Sequence, residues 1–343
     1  MNFSLKTYHF MPKKRIFSKE FYNKIGSNWL LDTFYMFLLT PTALIGFILS
    51  LISVYVFCKV KIRQTKLYHY LRFYTLNSAL MSLLCCFAFT TMSPSYFPYF
   101  LSSFSKIYRC ILLISPYTTL YFIGNMLDLM IALDRLSIFI KKLRIITQHP
   151  PTKITFSIIV GCVIINSPVF FMFYPKSNKQ LYYEANSNIK ELTYCGKNSF
   201  FNTDIGVLII LTVIILRDLI TVIFEIIIII WAIGYYRNYS KNDILSEHLK
   251  RKASISSIKR EERYKQLLLM SIYLCIMSTI NHSIVCFSSV LSLFYKPSSI
   301  FFNLLFISTL SLCIKFISNF FIFYYLNSNF KKCLFNILFK QTN

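Results

Sequence analysis

Glycine, acid and tryptophan are all scarce in this sequence: 7 Gly, 13 Asp plus Glu and 2 Trp in 343 residues. Charged residues make up only 15%, where a soluble domain carries about 25%, so a soluble fold is excluded at once. The glycine shortage counts against a transporter, because transporters use internal repeats and broken helices rich in Gly or Pro. No two apolar segments here look alike. Catalytic patterns are missing as well. The histidines (His9, His69, His149, His248 and His282) fall in no zinc-hydrolase spacing. No acid has the paired, glycine-flanked setting of an intramembrane aspartyl protease. Neither an enzyme nor a cofactor is expected.

What the chain does have is apolar surface: 55% hydrophobic residues and a mean hydropathy of +0.54. A helix crosses a bilayer with about 20 apolar residues. Seven runs qualify, at about 34–58, 73–93, 108–133, 154–174, 205–236, 266–294 and 299–325. The predicted class is an all-α integral membrane protein, with an N-terminal segment 1–33, a seven-helix bundle 34–325 and a tail 326–343. The first 30 residues are polar and basic, without the apolar core of a signal peptide. The first span is therefore expected to direct insertion by itself.

Lys and Arg divide unevenly between the loops. Segments 59–72, 135–153, 237–265 and the tail hold 22, and the alternate set holds 13. The richer set belongs in the cytoplasm, which predicts an extracellular N-terminus in the plasma membrane. The net charge of +24 does not point to nucleic acid. Its basic residues stand beside span ends, where anionic lipid attracts each by about 1 kcal/mol. The lipid bilayer is the expected partner. The stretch "LKRKASISSIKREERYK" reads as a helical extension of span six.

Seven of the ten cysteines lie inside spans and read as small apolar core residues. Cys110, at the outer head of span three, and Cys195, in the outer loop 175–204, differ. Both face an oxidising compartment on this topology, where a disulfide would tie the loop to span three. Two unrelated thiols are the alternative.

Seven spans, an outside N-terminus, Cys110 and "DR" at 134–135 together resemble a rhodopsin-like (class A) G-protein-coupled receptor. The segment "NFFIFYYLNSNFKKCLF" also resembles that family's seventh-span Asn motif, running into a short cytoplasmic interfacial helix, the eighth. Cys333 in it is a palmitoylation candidate. The departures are large. Span two has no acid, span four no Trp, and span six ("MSIYLCIMSTINHSIV") no Trp-Pro hinge, while Phe320 and Phe323 replace the seventh-span Pro and Tyr. The look is that of a divergent invertebrate orphan or a nematode-type serpentine chemoreceptor. The resemblance implies two partners, a heterotrimeric G-protein and an extracellular ligand, either a neuropeptide or a small organic molecule. It also implies that Asp134 holds Arg135 at rest and that Arg135 then meets the G-protein; ordinary interfacial charge is the alternative.

Asp128 raises a separate question, because a charge at membrane depth costs about 2.5–3.5 kcal/mol and needs compensation. The resemblance implies a packing that brings this level of span three near Asn319, so Lys315 in span seven is the expected partner, with Asn319 and Asn125 completing the hydrogen bonds of a polar lock. Otherwise Asp128 is neutral and Lys315 snorkels outward. In span five, Arg217, Asp218 and Glu225 form a polar set. Arg217 pairs with a neighbouring helix's carboxylate or Asp218 floors a ligand pocket, and a structural polar patch is the alternative. Tyr117, Thr118, Tyr121 and Phe122 are the expected aromatic, hydroxylated wall of that pocket, with His282 joining it. Tyr117 stands where amine receptors of the family carry an acid, which excludes a biogenic amine. Cys313 stands where opsins carry the retinal lysine, which excludes an opsin. The rival class is a seven-span channel or transporter that uses the buried charges as a path.

Overall fold

The computed structural model describes residues 35–59, 66–92, 114–140, 143, 148–177, 193–250, 255–294 and 299–339. The N-terminal segment 1–33 and Cys110 lie outside them. Helix α1 (Thr40–Lys59) is entered through a π-helical turn, Tyr35–Leu39. It is followed by α2 (Lys66–Met92), α3 (Ile114–Phe139) and α4 (Pro151–Met172). Helix α5 runs through Asp204–Ile214, a π-helical turn Ile215–Leu219, and Ile220–Lys250. Then come α6 (Ile255–Phe294), α7 (Ser299–Leu326) and the short α8 (Ser328–Leu338).

Helix is the form an apolar segment takes in lipid, because only its own backbone can satisfy its N–H and C=O groups. Six of these helices are long and apolar enough to cross a membrane. Helix α3 matches them in length at 26 residues but is more polar, and it packs against α2, α4, α5 and α6. The usual inside-out pattern of a soluble protein is reversed. Ile45, Phe156, Ile164, Phe171, Leu208 and Ile230 point outward, while Asn77, Asn125, Asn166, Asn281 and Asn319 are buried.

Two large apolar clusters make up most of the bundle's core. At the end that carries Arg135, Phe57, Tyr74, Leu127, Met270, Phe323 and Phe330 pack together. Towards the opposite end, Leu39, Met81, Cys85, Tyr121, Cys313 and Phe316 form the second. Helix α8 is fixed to the first cluster by its cap. The Asn327 side chain accepts from Phe330 N at 3.1 Å and from Tyr68 Oη at 3.3 Å. Phe330 is fully buried beside the Phe57 ring at 5.1 Å. Lys331, Lys332, Phe335 and Leu338 remain exposed, the mixed face of a helix lying on a membrane surface.

Two elements differ from the sequence expectation. The loop after α4 is not featureless: β1 (Phe173–Ser177) pairs antiparallel with β2 (Thr193–Lys197), with Pro175 opposite Cys195. The basic 237–265 stretch is divided, its first part extending α5 to Lys250 and its last part starting α6 at Ile255.

Polar contacts set the spacing of the central helices. Gly124 lets α2 approach α3, since a Cβ there would stand 2.8 Å from Asn77 Nδ2, which donates to Leu120 O at 2.9 Å. On the other side of α3, Asn166 of α4 donates to Thr118 Oγ1 at 2.8 Å and to Thr119 Oγ1 at 2.7 Å. Hydrogen bonds between helices in a membrane contribute about 0.6 kcal/mol each, up to about 1.7. Asn166→Leu is expected to destabilise the purified protein by about 1–2 kcal/mol in thermal unfolding. Phe156→Leu, on the outward face of α4, should leave the melting temperature unchanged.

Candidate functional site

The interior of the bundle holds one continuous chain of charged and polar side chains. It begins on α3, where Asp128 Oδ2 accepts from Lys315 Nζ of α7 at 2.9 Å. Lys315 Nζ also donates to Ser278 Oγ of α6 at 3.0 Å. Ser278 Oγ in turn donates to Glu225 Oε1 of α5 at 3.0 Å, and Thr279 Oγ1 donates to Glu225 Oε2 at 3.0 Å. Asp128, Glu225, Ser278 and Lys315 are all buried. Four helices are thus joined through charge at a depth where an unpaired ion would be costly.

The chain continues away from Arg135. His282 Nδ1 lies 3.5 Å from Glu225 Oε2, and its ring tilts at 57° against Tyr121, 4.9 Å between centroids. Asn281 Nδ2 donates to Tyr121 Oη at 3.4 Å and Asn281 Oδ1 accepts from Ser311 Oγ at 2.6 Å. Asn319, one turn beyond Lys315, donates instead to Tyr74 Oη of α2 at 2.9 Å.

Several sequence expectations are corrected by these positions. Asn319 and Asn125 do not complete the bonds of the Asp128–Lys315 pair. Asn319 is displaced one helical turn from Lys315 and reaches α2, and Asn125 Nδ2 has no hydrogen-bond partner. Arg217 does not seek another helix. Its Nε and Nη2 donate to Asp218 Oδ1 and Oδ2, each at 2.7 Å. Adjacent residues stand about 100° apart on an α-helix. The Arg217 and Asp218 side chains nevertheless meet, as those of Asp134 and Arg135 do, within a π-helical turn in which Ile220 N–H reaches back five residues to Ile215 O, and both are buried. Such turns recur at functional sites.

The expected pocket wall divides in two. Tyr117 and Tyr121 pack in the cluster away from Arg135, towards α2 and α7. Thr118 turns to Asn166 of α4, and Phe122 enters the cluster at the Arg135 end. The helical period separates the pairs, because positions 117 and 121 share one face while 118 and 122 share the next. Cys333 is half-buried, with its thiol directed at Val56 O, 3.7 Å away. Burial pushes that thiol up, against a smaller opposing effect of Lys59. Such a setting disfavours the thiolate. The Cys110–Cys195 pairing lies outside the described residues.

Ser278, Thr279 and Tyr74 are the contributors that sequence reasoning missed. Their hydroxyls carry no charge and barely alter hydropathy. The polar run Ser278–Thr279 just before Asn281–His282, inside an apolar span, was the one signal available.

At the foot of α3, Arg135 Nε donates to Asp134 Oδ2 at 3.2 Å, and Nη2 bonds the same oxygen. Both side chains are buried, and the next residue, Leu136, packs against Ala232 of α5 and Leu268 and Ile272 of α6. Among the described residues no group of three or more His, Cys, Asp or Glu could hold a metal ion.

This arrangement, seven bundled helices with a short eighth and a buried Asp-Arg pair closing the third, defines a divergent rhodopsin-like receptor fold. The crystal structure of squid rhodopsin superposes with a TM-score of 0.64 at 14% identity, over 90% of this chain and 80% of that one. At that identity the likeness is one of fold. The family model described as serpentine type 7TM GPCR chemoreceptor Srx matches residues 40–261, well over half of the sequence. The chain belongs to that family, and it is a multi-pass membrane protein. No curated protein matches the sequence significantly.

Removing one member of a buried ion pair leaves the other uncompensated, at a cost of about 3–5 kcal/mol. Asp128→Asn or Lys315→Met alone should each lose stability on that scale in thermal unfolding. The double variant should recover most of it, since two neutral residues leave no charge behind.

Proposed function

We propose that this receptor sits in the plasma membrane with residues 1–33 outside, a bundle over 34–325 and a cytoplasmic tail. It binds an extracellular small organic molecule and activates a heterotrimeric G-protein. The observation that carries the reading is the Asp134–Arg135 pair, buried where α3 meets α5 and α6. A charge held by its own neighbour at a helix end is a two-state element. Moving the ends of α5 and α6 away would expose Arg135 to a partner, and a ligand that prefers the opened state shifts the equilibrium towards it.

The Lys/Arg asymmetry of the loops supports this orientation. Tyr117 and Tyr121 offer an aromatic, hydroxylated wall. Arg217 and Asp218 neutralise one another, while Glu225, a third charge near Tyr121, is held by the hydroxyls of Ser278 and Thr279. An uncharged organic ligand suits that aromatic wall and agrees with a chemoreceptor family. The buried charges of α3, α5 and α7 are held by one another or by hydroxyls of α6, which supports a lock rather than a conduction path.

Expression with a panel of G-proteins, at matched surface levels, provides the test through agonist-free nucleotide exchange. Arg135→Ala should reduce exchange to the receptor-free level, and Asp134→Asn should raise it several-fold. Volatile organics should raise exchange further where peptide extracts do not. Exchange that is indifferent to Arg135→Ala, or ion or solute flux through the protein, would overturn the receptor mechanism.

A further inference from the structure

Among the described residues the interior charges do not balance. Asp128, Asp218 and Glu225 are buried alongside Lys315 and Arg217, three carboxylates against two permanent cations. Arg217 and Asp218 neutralise each other through two hydrogen bonds. Lys315 stands 2.9 Å from Asp128. The surplus negative charge therefore falls on Glu225, whose hydrogen bonds among the described residues come from the neutral hydroxyls of Ser278 and Thr279.

One titratable base touches Glu225. His282 Nδ1 lies 3.5 Å from Oε2, with both side chains fully buried. Neither imidazole nitrogen has a hydrogen-bond partner. Buried polar groups are almost always bonded, so this ring has unused capacity at the one place where a positive charge is needed. An imidazolium there would place an N–H against the carboxylate and bring the interior to neutrality.

We propose that Glu225 and His282 form an intramembrane proton site, which takes a single proton between carboxylate and imidazole. The proton comes from bulk water, and no other bond changes. The titratable and charged groups around the pair are Tyr121 and Asp128 from α3, Arg217 and Asp218 on α5, Cys275 and Cys286 on α6, and Lys315 from α7. With the proton bound, the α5–α6 contact is ionic and the interior is neutral. Without it, a carboxylate faces a neutral ring. Ser278 bonds both Glu225 and Lys315, so the loaded state is also felt at the Asp128–Lys315 pair. The stabilisation is present while the proton is bound and disappears as rising pH removes it. Imidazole side chains in general change charge between about pH 5 and about pH 8, which sets the range to search.

The test is thermal unfolding of the purified full-length chain in lipid nanodiscs across that range. The wild-type melting temperature should fall by several degrees as pH rises. His282→Phe keeps a ring against Tyr121 but cannot hold the proton, and Glu225→Gln removes the carboxylate. Both should flatten the profile. A flat wild-type profile, or one that keeps its slope in both variants, overturns the proposal. Should neither variant fold, infrared spectra of the wild type with ring-labelled histidine decide. An imidazolium shielded from deuterium exchange is expected at low pH and should vanish at high pH. Its absence throughout overturns the proposal. Neither readout involves a G-protein, so failure here is distinct from failure of the receptor mechanism.

Discussion

Lys315 donating to Asp128 across 2.9 Å is the interaction on which the rest of the bundle's polar order depends. Helix α7 packs chiefly on α6 and α1, while α3 is surrounded by α2, α4, α5 and α6. The ion pair therefore joins two helices whose backbones are not close neighbours. Each charge is viable at membrane depth only because the other is present. A buried pair adds little net stability compared with apolar residues; what it specifies is register. With Lys315 placed, Ser278 and then Glu225 fall into line, and α5 and α6 are tied to the same centre.

That centre is mechanically linked to the Arg135 end. Asp128 and Arg135 are seven residues apart, about two turns and roughly 10 Å along one face of α3. Asn319, a turn beyond Lys315, holds Tyr74 of α2, and Tyr74 belongs to the same apolar cluster as Phe323 and Phe330. A change in the Asp128–Lys315 pair would act on α3, α7 and α8 together. Packed interiors move between discrete arrangements rather than deforming smoothly, so such a link suits a switch. The unbroken 40-residue α6 fits this picture, since it has no proline hinge and is held to its neighbours by Ser278, Thr279 and Asn281.

Much of this was legible in the sequence, for identifiable reasons. The spans follow from hydropathy because lipid enforces helix over every apolar run of sufficient length. Asp128 and Lys315 stood out because charge in a span is costly enough to demand a partner. What escaped reading was uncharged or geometric. The hydroxyls of Ser278, Thr279 and Tyr74 leave no mark on hydropathy. Arg217 pairs with Asp218, its neighbour in sequence, where the reading looked to another helix, and the π-helical turn around them is not announced by composition. The strands 173–177 and 193–197 lack the alternation that marks a ribbon. Thr118 and Phe122 are a different case. The helical period alone sets them on another face from Tyr117 and Tyr121, and a contiguous wall was the wrong reading of it.

The central claim is that charge between α3 and α7 holds the resting state, and exchanging the charges tests it most directly. Agonist-free nucleotide exchange would be compared in wild type, Asp128→Lys, Lys315→Asp and the double exchange variant, at matched surface levels. Each single reversal places like charges together and should raise basal exchange. The double variant restores attraction with opposite polarity and should return exchange towards the wild-type level. A double variant no closer to wild type than either single one would contradict the account, as would single reversals without effect.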